Sequence, residues 1–512
     1  MITNEDAADL LGGLDLGSTV AELDNLLETA RVETSVFDDL LADRVDLIPG
    51  TKGSGKTALY RMFVDFLPQM MLTNKKIIIA HGVQQRQDTV FLAYKTQFDK
   101  LSESDFVDFW CIYVVSLAYE QFVRNDRFKK LLANCNAEID AFRKAYRDAG
   151  IPDFDHPKTL HQILAWTLAV LARLKPRVTW KPPADVGQFE LSLMGGAPLR
   201  QSALTALTND DPRMPTYIDN IALRLEELLL KSDLYLWLMV DRLDELFARR
   251  SDTETRALRG LLRTLSLFRS DRIRVKVFLR DDILDQIVAG QGFTALTHAT
   301  ARRSDTLRWS EEQILTMTVR RIFAHPAFAT RFEIDSTLLR SSIEYQRQQF
   351  YKIFVATIYR PPNQSATLRW IYNHTKDGKA VVTPRDVISL LTRAIQWQRD
   401  AFRRNRPGTT EKLITAPAII YGLEELSKEK RTTYLEAEFP HKWEMIKKLL
   451  GGGTEYSEPA INRLLGKKHQ AAAEDLISVG VLERGTKRGK PTFRVPFLYR
   501  RGLECTQRFV AD

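Results

Sequence analysis

Gly50-Thr51-Lys52-Gly53-Ser54-Gly55-Lys56-Thr57 fills the pattern G-x-x-x-x-G-K-[ST] completely. Each residue type answers a need of phosphate binding. The glycines let the backbone wrap around phosphate oxygens with its N–H groups turned inward, and a following helix adds its positive N-terminal end. Lys56 would bridge the β- and γ-phosphates of ATP, and the Thr57 hydroxyl would ligate Mg²⁺. An apolar run at 45–49 precedes the loop and an amphipathic segment, TALYRMFVDFL, follows it.

Such a loop needs a carboxylate at the end of a neighbouring strand to hold the magnesium shell. LYLWLMVD supplies Asp241. Hydrolysis further needs a group that orients or deprotonates the attacking water. Arg242 follows Asp241 directly, so the candidates are Asp244 and Glu245 of VDRLDEL, either of which could also be an ordinary acid at a helix start. The run RIRVKVFLR ends in Arg280, with Asp281 and Asp282 behind it. Arg280 can sense the γ-phosphate through charge-assisted hydrogen bonds or pair with those acids. Thr383, Pro384 and Asp386 suit the N-cap, N1 and N3 positions of a helix. Arg385 between them opposes the helix macrodipole, so a nucleotide phosphate or an acid such as Asp386 must compensate it.

The elements that position these groups are four apolar runs, at 45–49, Lys76–His81, Leu234–Val240 and RIRVKVFLR, separated by helical periodicity. That alternation predicts an α/β fold with a parallel sheet covered on both faces. Helical pattern dominates 103–175 and returns beyond 310, until RRNRPGTTEK reads as a linker or exposed turn. The last seventy residues run helix (HKWEMIKKLL), helix (SEPAINRLLG), helix (HQAAAEDLISVG) and hairpin (VLERGTKRGKPTFRVPFL), the order of a winged helix. The expected domains are an acidic arm at 1–43, a nucleotide-binding core at 44–310 with a helical insertion at about 100–230, a helical lid at 311–400, and a linker with winged helix at 401–512.

Charge and composition narrow the classes. The chain has 512 residues, 44% hydrophobic and 27% charged, which excludes a mostly disordered or collagen-like protein. Three distant cysteines exclude a disulfide framework and a C-x-x-C zinc site; Cys111 and Cys135 sit in apolar surroundings and read as core thiols. The longest greasy stretch, 163–174, is too short for a membrane span, and the acidic start is unlike a signal peptide, so a cytoplasmic location is expected. Residues 1–43 hold eleven acids against Arg31, whereas 399–512 carry 22 basic and 15 acidic residues. Arg484, Lys487, Arg488 and Lys490 would lie around the hairpin tip, suited to phosphate-backbone contact or simply solvated. The acidic arm could dock on the basic C-terminal portion and compete there with nucleic acid.

Taken in order, GTKGSGKT, LMVDRLDEL, VKVFLRDD, LRWSEEQILTMTVRRI, TPRDVISLL and the C-terminal pattern resemble bacterial P-loop ATPases of the STAND and AAA+ grouping, near the KAP-like and origin-recognition-like branches. The resemblance covers 44–503. It implies a P-loop NTPase sheet with helical lid and winged helix, with Lys56 and Thr57 as phosphate and magnesium ligands and Asp241 as the acidic strand end. Arg280 would match the first sensor position and Arg385 the second. Relatives oligomerise, and many serve in anti-phage defence. Arg242 in place of an acid, and about 180 residues between loop and Asp241, depart from the pattern. The resulting expectation is an ATP-hydrolysing switch controlling oligomerisation or engagement of a protein or nucleic-acid partner, which would supply any effector chemistry. The alternatives are a nucleic-acid-binding regulator with nucleotide as structural ligand, and a small-substrate kinase. Arg302, Arg303, Arg320 and Arg321 are available to act across a subunit interface, and nothing in the sequence singles one out.

Overall fold

Leu47–Gly50 (β2), Lys76–His81 (β3), Leu234–Val240 (β4) and Ile273–Arg280 (β5) form a parallel sheet in the order β2-β5-β4-β3. Almost every position of these strands is buried, because helices cover both faces and leave no side that polar residues could occupy. The computed structural model describes residues 1–66, 75–82, 98–124, 128–149, 214–245, 251–265, 268, 271–289, 301–359, 364–405, 407–466 and 469–511. The helical pattern at 159–174 and the proline- and glycine-containing stretch to residue 200 lie outside them.

The chain divides into two compact units. The sheet belongs to the unit made of Ser35–Thr51 and Lys56–Leu307. Beside β2, on the side away from β5, the chain at Arg303 and Leu307 runs parallel to Leu47 and Gly50. Helices Glu103–Tyr119, Met214–Ser232 and Asp252–Thr264 supply the apolar cover, with Phe106, Trp110, Leu225 and Leu258 in one core. The helix at 103 starts with a capping box between Ser102 and Asp105, which satisfies two otherwise orphaned N–H groups. It packs so closely on Gly260 that a Cβ there would lie 2.7 Å from the Phe106 Cβ. Its span Glu103–Val123 is, among the described residues, the one helix long and apolar enough to cross a membrane, and 72% of that window is buried inside the fold. Here it is a core helix, which the sequence reading overlooked in favour of 163–174.

One charge cluster lies within this apolar unit. Lys276 of β5 is fully buried; its ammonium donates to Asp43 Oδ1 at 2.6 Å, Asp46 Oδ1 at 2.7 Å and the Val45 carbonyl at 2.7 Å. Arg302 donates through Nε to Asp46 Oδ2 at 2.6 Å and also reaches the Asp43 carbonyl. Burial alone would raise the Asp43 pKa, but Lys276, Arg274 and Arg302 outweigh it and hold the carboxyl below 3.8.

The second unit comprises Met1–Thr34, Lys52–Gly55 and Arg308–Asp512. Residues 1–34 are built into it rather than forming a loose arm. Ile2–Thr3 (β1) pairs antiparallel with Thr409–Thr410 (β6), and the Asn4 amide donates to the Asn405 carbonyl at 2.6 Å. Asp24 and Arg321 form a buried ion pair at 2.5 Å, and Arg321 also donates to the Leu16 carbonyl. Two expectations are thereby corrected. Residues 35–43 belong with the sheet, and part of RRNRPGTTEK is the partner strand of β1. Of the acids in this segment, Asp24 is the one paired with Arg321 inside its own unit.

At the C-terminal end, Glu483–Lys487 (β8) and Lys490–Arg494 (β9) form a hairpin whose turn residues Arg488 and Gly489 both have positive φ, as a two-residue hairpin turn requires. With Gly453–Ser457 (β7) and Thr506–Val510 (β10) they make a four-stranded sheet in the order β10-β7-β9-β8. β10 carries no apolar alternation, so the sequence did not announce it.

Candidate functional site

The eight loop residues are shared between the units. Gly50, Thr51, Lys56 and Thr57 group with the sheet, and Lys52–Gly55 with the helical unit.

In the sheet unit, β2 delivers the loop and the helix Lys56–Arg61 leaves it. Lys56 Nζ donates to the Gly50 and Thr51 carbonyls, each at 2.8 Å. Burial lowers its pKa, while Asp241 and Asp244 pull the other way. Asp241 ends β4; burial pushes its pKa up to about 6, outweighing the pull of the Thr57 side chain, Lys56 and the Arg242 N–H toward the ionised form. Its Oδ2 is buried without a hydrogen-bond partner. A carboxylate oxygen left unpaired beside a hydroxyl fits a hard divalent cation that prefers oxygen ligands, so Asp241 and Thr57 are the residues that would hold Mg²⁺. The Thr51 and Ser54 hydroxyls are likewise buried without partners.

Arg242 adopts φ +59, a conformation non-glycine residues rarely take, and turns the chain directly after Asp241. Three residues on, Asp244 comes back to Arg280, with its Oδ2 3.4 Å from Nη1. Arg280 is also forked onto Asp282, with Nε and Nη2 each 3.0 Å from a carboxylate oxygen. The acid pairing open to Arg280 is formed, and it includes Asp244 as well as a neighbour in sequence. The Glu245 side chain lies outside the described ones.

In the helical unit, four contacts grip the loop tip. Lys52 forms an ion pair with Glu438. Gly53, at φ +83, leaves room for a Cβ only 3.3 Å from the Arg385 Cβ and 3.4 Å from Thr383 Oγ1. The indole Nε1 of Trp309 donates to the Ser54 carbonyl at 2.7 Å. Its ring also faces Gly55, where a Cβ would lie 3.7 Å from it. Thr383 caps its helix by accepting from the Asp386 N–H, as its position predicts. Asp386 does not compensate Arg385; it pairs with Lys430 at 2.9 Å, and Arg385 donates to the Thr19 carbonyl at 3.4 Å. Trp309 lies in the segment LRWSEEQILTMTVRRI but was not singled out as a site residue, and Glu438 carried no motif signal.

The four basic hairpin residues do not share one surface. Arg484 pairs with Glu474 of the helix His469–Ser478, whereas Lys487 lies 3.9 Å from Glu455 and over the Phe509 ring. Arg488 and Lys490 are exposed at the turn. Three of the four arginines considered for a subunit interface are engaged internally: Arg302 with Asp43 and Asp46, Arg320 with the Arg31 carbonyl, and Arg321 with Asp24. Cys111 is a buried thiol pushed up to about 12 by burial, as inert as the sequence suggested. Among the described residues no cluster of His, Cys, Asp and Glu could form a separate metal centre.

The raised Asp241 pKa has a pH consequence. Holding a cation requires the ionised carboxylate, so the Mg²⁺-dependent part of nucleotide affinity should fall as pH drops through about 6. At pH 5 it should be weaker by about tenfold than at pH 7.5, one pH unit below the midpoint. Titrations at both pH values, with and without Mg²⁺, measure it; a pH-independent metal contribution would contradict the assignment.

Comparison with protein-family models, with curated proteins and with solved structures finds no match in any of the three.

Proposed function

We propose that the chain is an ATP-binding, ATP-hydrolysing molecular switch, built on a P-loop NTPase sheet with a C-terminal winged helix. One observation carries the reading: the strand-end carboxylate of Asp241 interacts electrostatically with Thr57 and Lys56 of the loop, and one of its oxygens is buried without a hydrogen-bond partner. The sheet supports it, because β5 pairs in parallel with both the loop strand and the strand bearing Asp241, so the loop, Asp241 and Arg280 follow the same ends of neighbouring strands.

In this reading Lys56 and backbone N–H groups of the loop bind the phosphates, and Thr57 and Asp241 would hold Mg²⁺, which would offset the phosphate charge. Water attacks the γ-phosphorus and passes its proton to Asp244. The bond from that phosphorus to the bridging oxygen breaks, and its electron pair leaves with ADP. Arg280, in reach of Asp244, would balance charge on the γ-phosphoryl group as it transfers. Arg385, beside Gly53, is proposed as a second phosphate-responsive cation. The state of the nucleotide would then set oligomerisation or partner engagement. Nucleic-acid contact is proposed only for the hairpin turn, through Arg488 and Lys490 with Lys487, since Arg484 is tied to Glu474.

The test is Mg²⁺-ATP binding together with single-turnover hydrolysis for the parent and Asp244→Asn. Binding retained within a few-fold, with turnover reduced at least about 100-fold in the variant, is expected for loss of a general base. Tight binding without turnover in the parent, even with DNA present, would favour the nucleotide-stabilised regulator. No binding would end the nucleotide reading.

A further inference from the structure

Resting on the reading that residues 50–57 take nucleotide phosphates, we infer that Trp309 is a positioning residue for that site: its indole N–H fixes the Ser54–Gly55 peptide so that the Gly55 N–H faces the phosphates. The argument starts from peptide geometry. In a trans peptide the carbonyl and the next N–H point in opposite directions. A loop that turns N–H groups inward must turn the matching carbonyls outward, and an outward carbonyl that is buried needs a donor. Ser54 is fully buried, and the Trp309 Nε1 supplies that donor at 2.7 Å.

Two further features make the arrangement rigid. Gly55 sits at φ +98, so the peptide before it could rotate freely without an external hold. Trp309 is itself anchored, because the Tyr372 hydroxyl donates to its carbonyl at 3.1 Å and its helix neighbour Ser310 opens a capping box with Gln313. The Ser54 hydroxyl, buried and unpaired, shows that the same loop residue keeps a polar group free for a ligand while its carbonyl is spoken for.

The role acts through the phosphates and not the base, which sets the experiment. Affinities for Mg²⁺-ATP and for inorganic tripolyphosphate are compared in the parent, Trp309→Phe and Tyr372→Phe, with melting temperature as a folding control. Trp309→Phe keeps an aromatic ring at this position, removes the N–H donor and shortens the ring that faces Gly55. It should weaken both ligands by the same factor, about three- to tenfold, the range for one net hydrogen bond. Tyr372→Phe should weaken both by a smaller common factor. Unchanged affinities in a folded Trp309→Phe protein would overturn the inference, and so would weakening of ATP alone, which would mean that the indole touches the base. If Trp309→Phe does not fold, equal affinities in Tyr372→Phe and the parent would count against it. A parent that binds neither polyanion would overturn the nucleotide reading itself, a result distinct from those on the variants.

Discussion

Lys56→Ala should weaken Mg²⁺-ATP binding at least about 100-fold and abolish turnover. The ammonium is buried, donates to two carbonyls of its own loop, and lies in the field of Asp241, Asp244 and Asp281. Removing it does two things at once. The phosphates lose a charge-assisted contact worth about 1.5–3 kcal/mol, and the acids lose the cation that offsets their mutual repulsion. Both effects disfavour a polyanion, so their sum exceeds a single hydrogen bond. Calorimetric titration and single-turnover assays read the result, and an affinity within threefold of the parent would contradict the placement of Lys56 at the phosphates. Because Asp241 loses a neighbour that lowers its pKa, the variant should also retain more protonated Asp241 at neutral pH, which weakens the metal contribution further.

Lys276→Met should destabilise the sheet unit by about 3 kcal/mol, the cost typical of removing one partner from a buried ionic group. Methionine preserves most of the volume against Trp237, over whose ring the ammonium lies at 4.5 Å, so packing changes little. Electrostatics decide the outcome. Asp43 and Asp46 would keep Arg302, but that guanidinium is partly exposed and cannot replace an ammonium bonded to both carboxylates. The pH dependence has a definite sign. Asp43 is depressed in the fold, so its stabilising contribution is present above its unfolded value of 3.8 and is lost as pH falls through the folded one. Without Lys276 that depression shrinks, and the gap between parent and variant should therefore narrow below about pH 4. Urea unfolding at pH 7 and pH 3.5 tests both points; equal stability at pH 7 would show that the cluster is electrostatically neutral to folding.

Much of the sheet and half of the site were legible in the sequence for local reasons. Leu234–Val240 is an apolar run bounded by Asp233 and Asp241, and Ile77–Ala80 an apolar run between Lys76 and His81; the structure places strands on both. The loop was visible because its pattern is confined to eight consecutive residues, and the Thr383 cap because capping acts within one turn. What escaped depends on distant approach. Trp309 meets Ser54 across 255 positions and Glu438 meets Lys52 across 386, and no local pattern shows that either reaches the loop. Lys276 sits mid-strand in an apolar run, with partners more than 200 residues away. The divided hairpin was within reach of sequence reasoning, since residues 484 and 487 differ by an odd number and side chains alternate along a strand.

The strand that carries the phosphate loop pairs with β5, and the ion cluster at its base joins Asp46 to Lys276, 230 residues further along the chain. On a ribosome this imposes an order of events. At about 5–20 residues per second, roughly 10–50 s pass between emergence of the loop and emergence of its sheet neighbour. Throughout that interval the nascent loop strand lacks its flanking partner, and Asp43 and Asp46 lack the cation that lets them be buried. On the proposed reading, nucleotide capture would belong to the finished chain. A truncation ending before residue 273 should leave the loop without a working phosphate site even though its eight residues are all present.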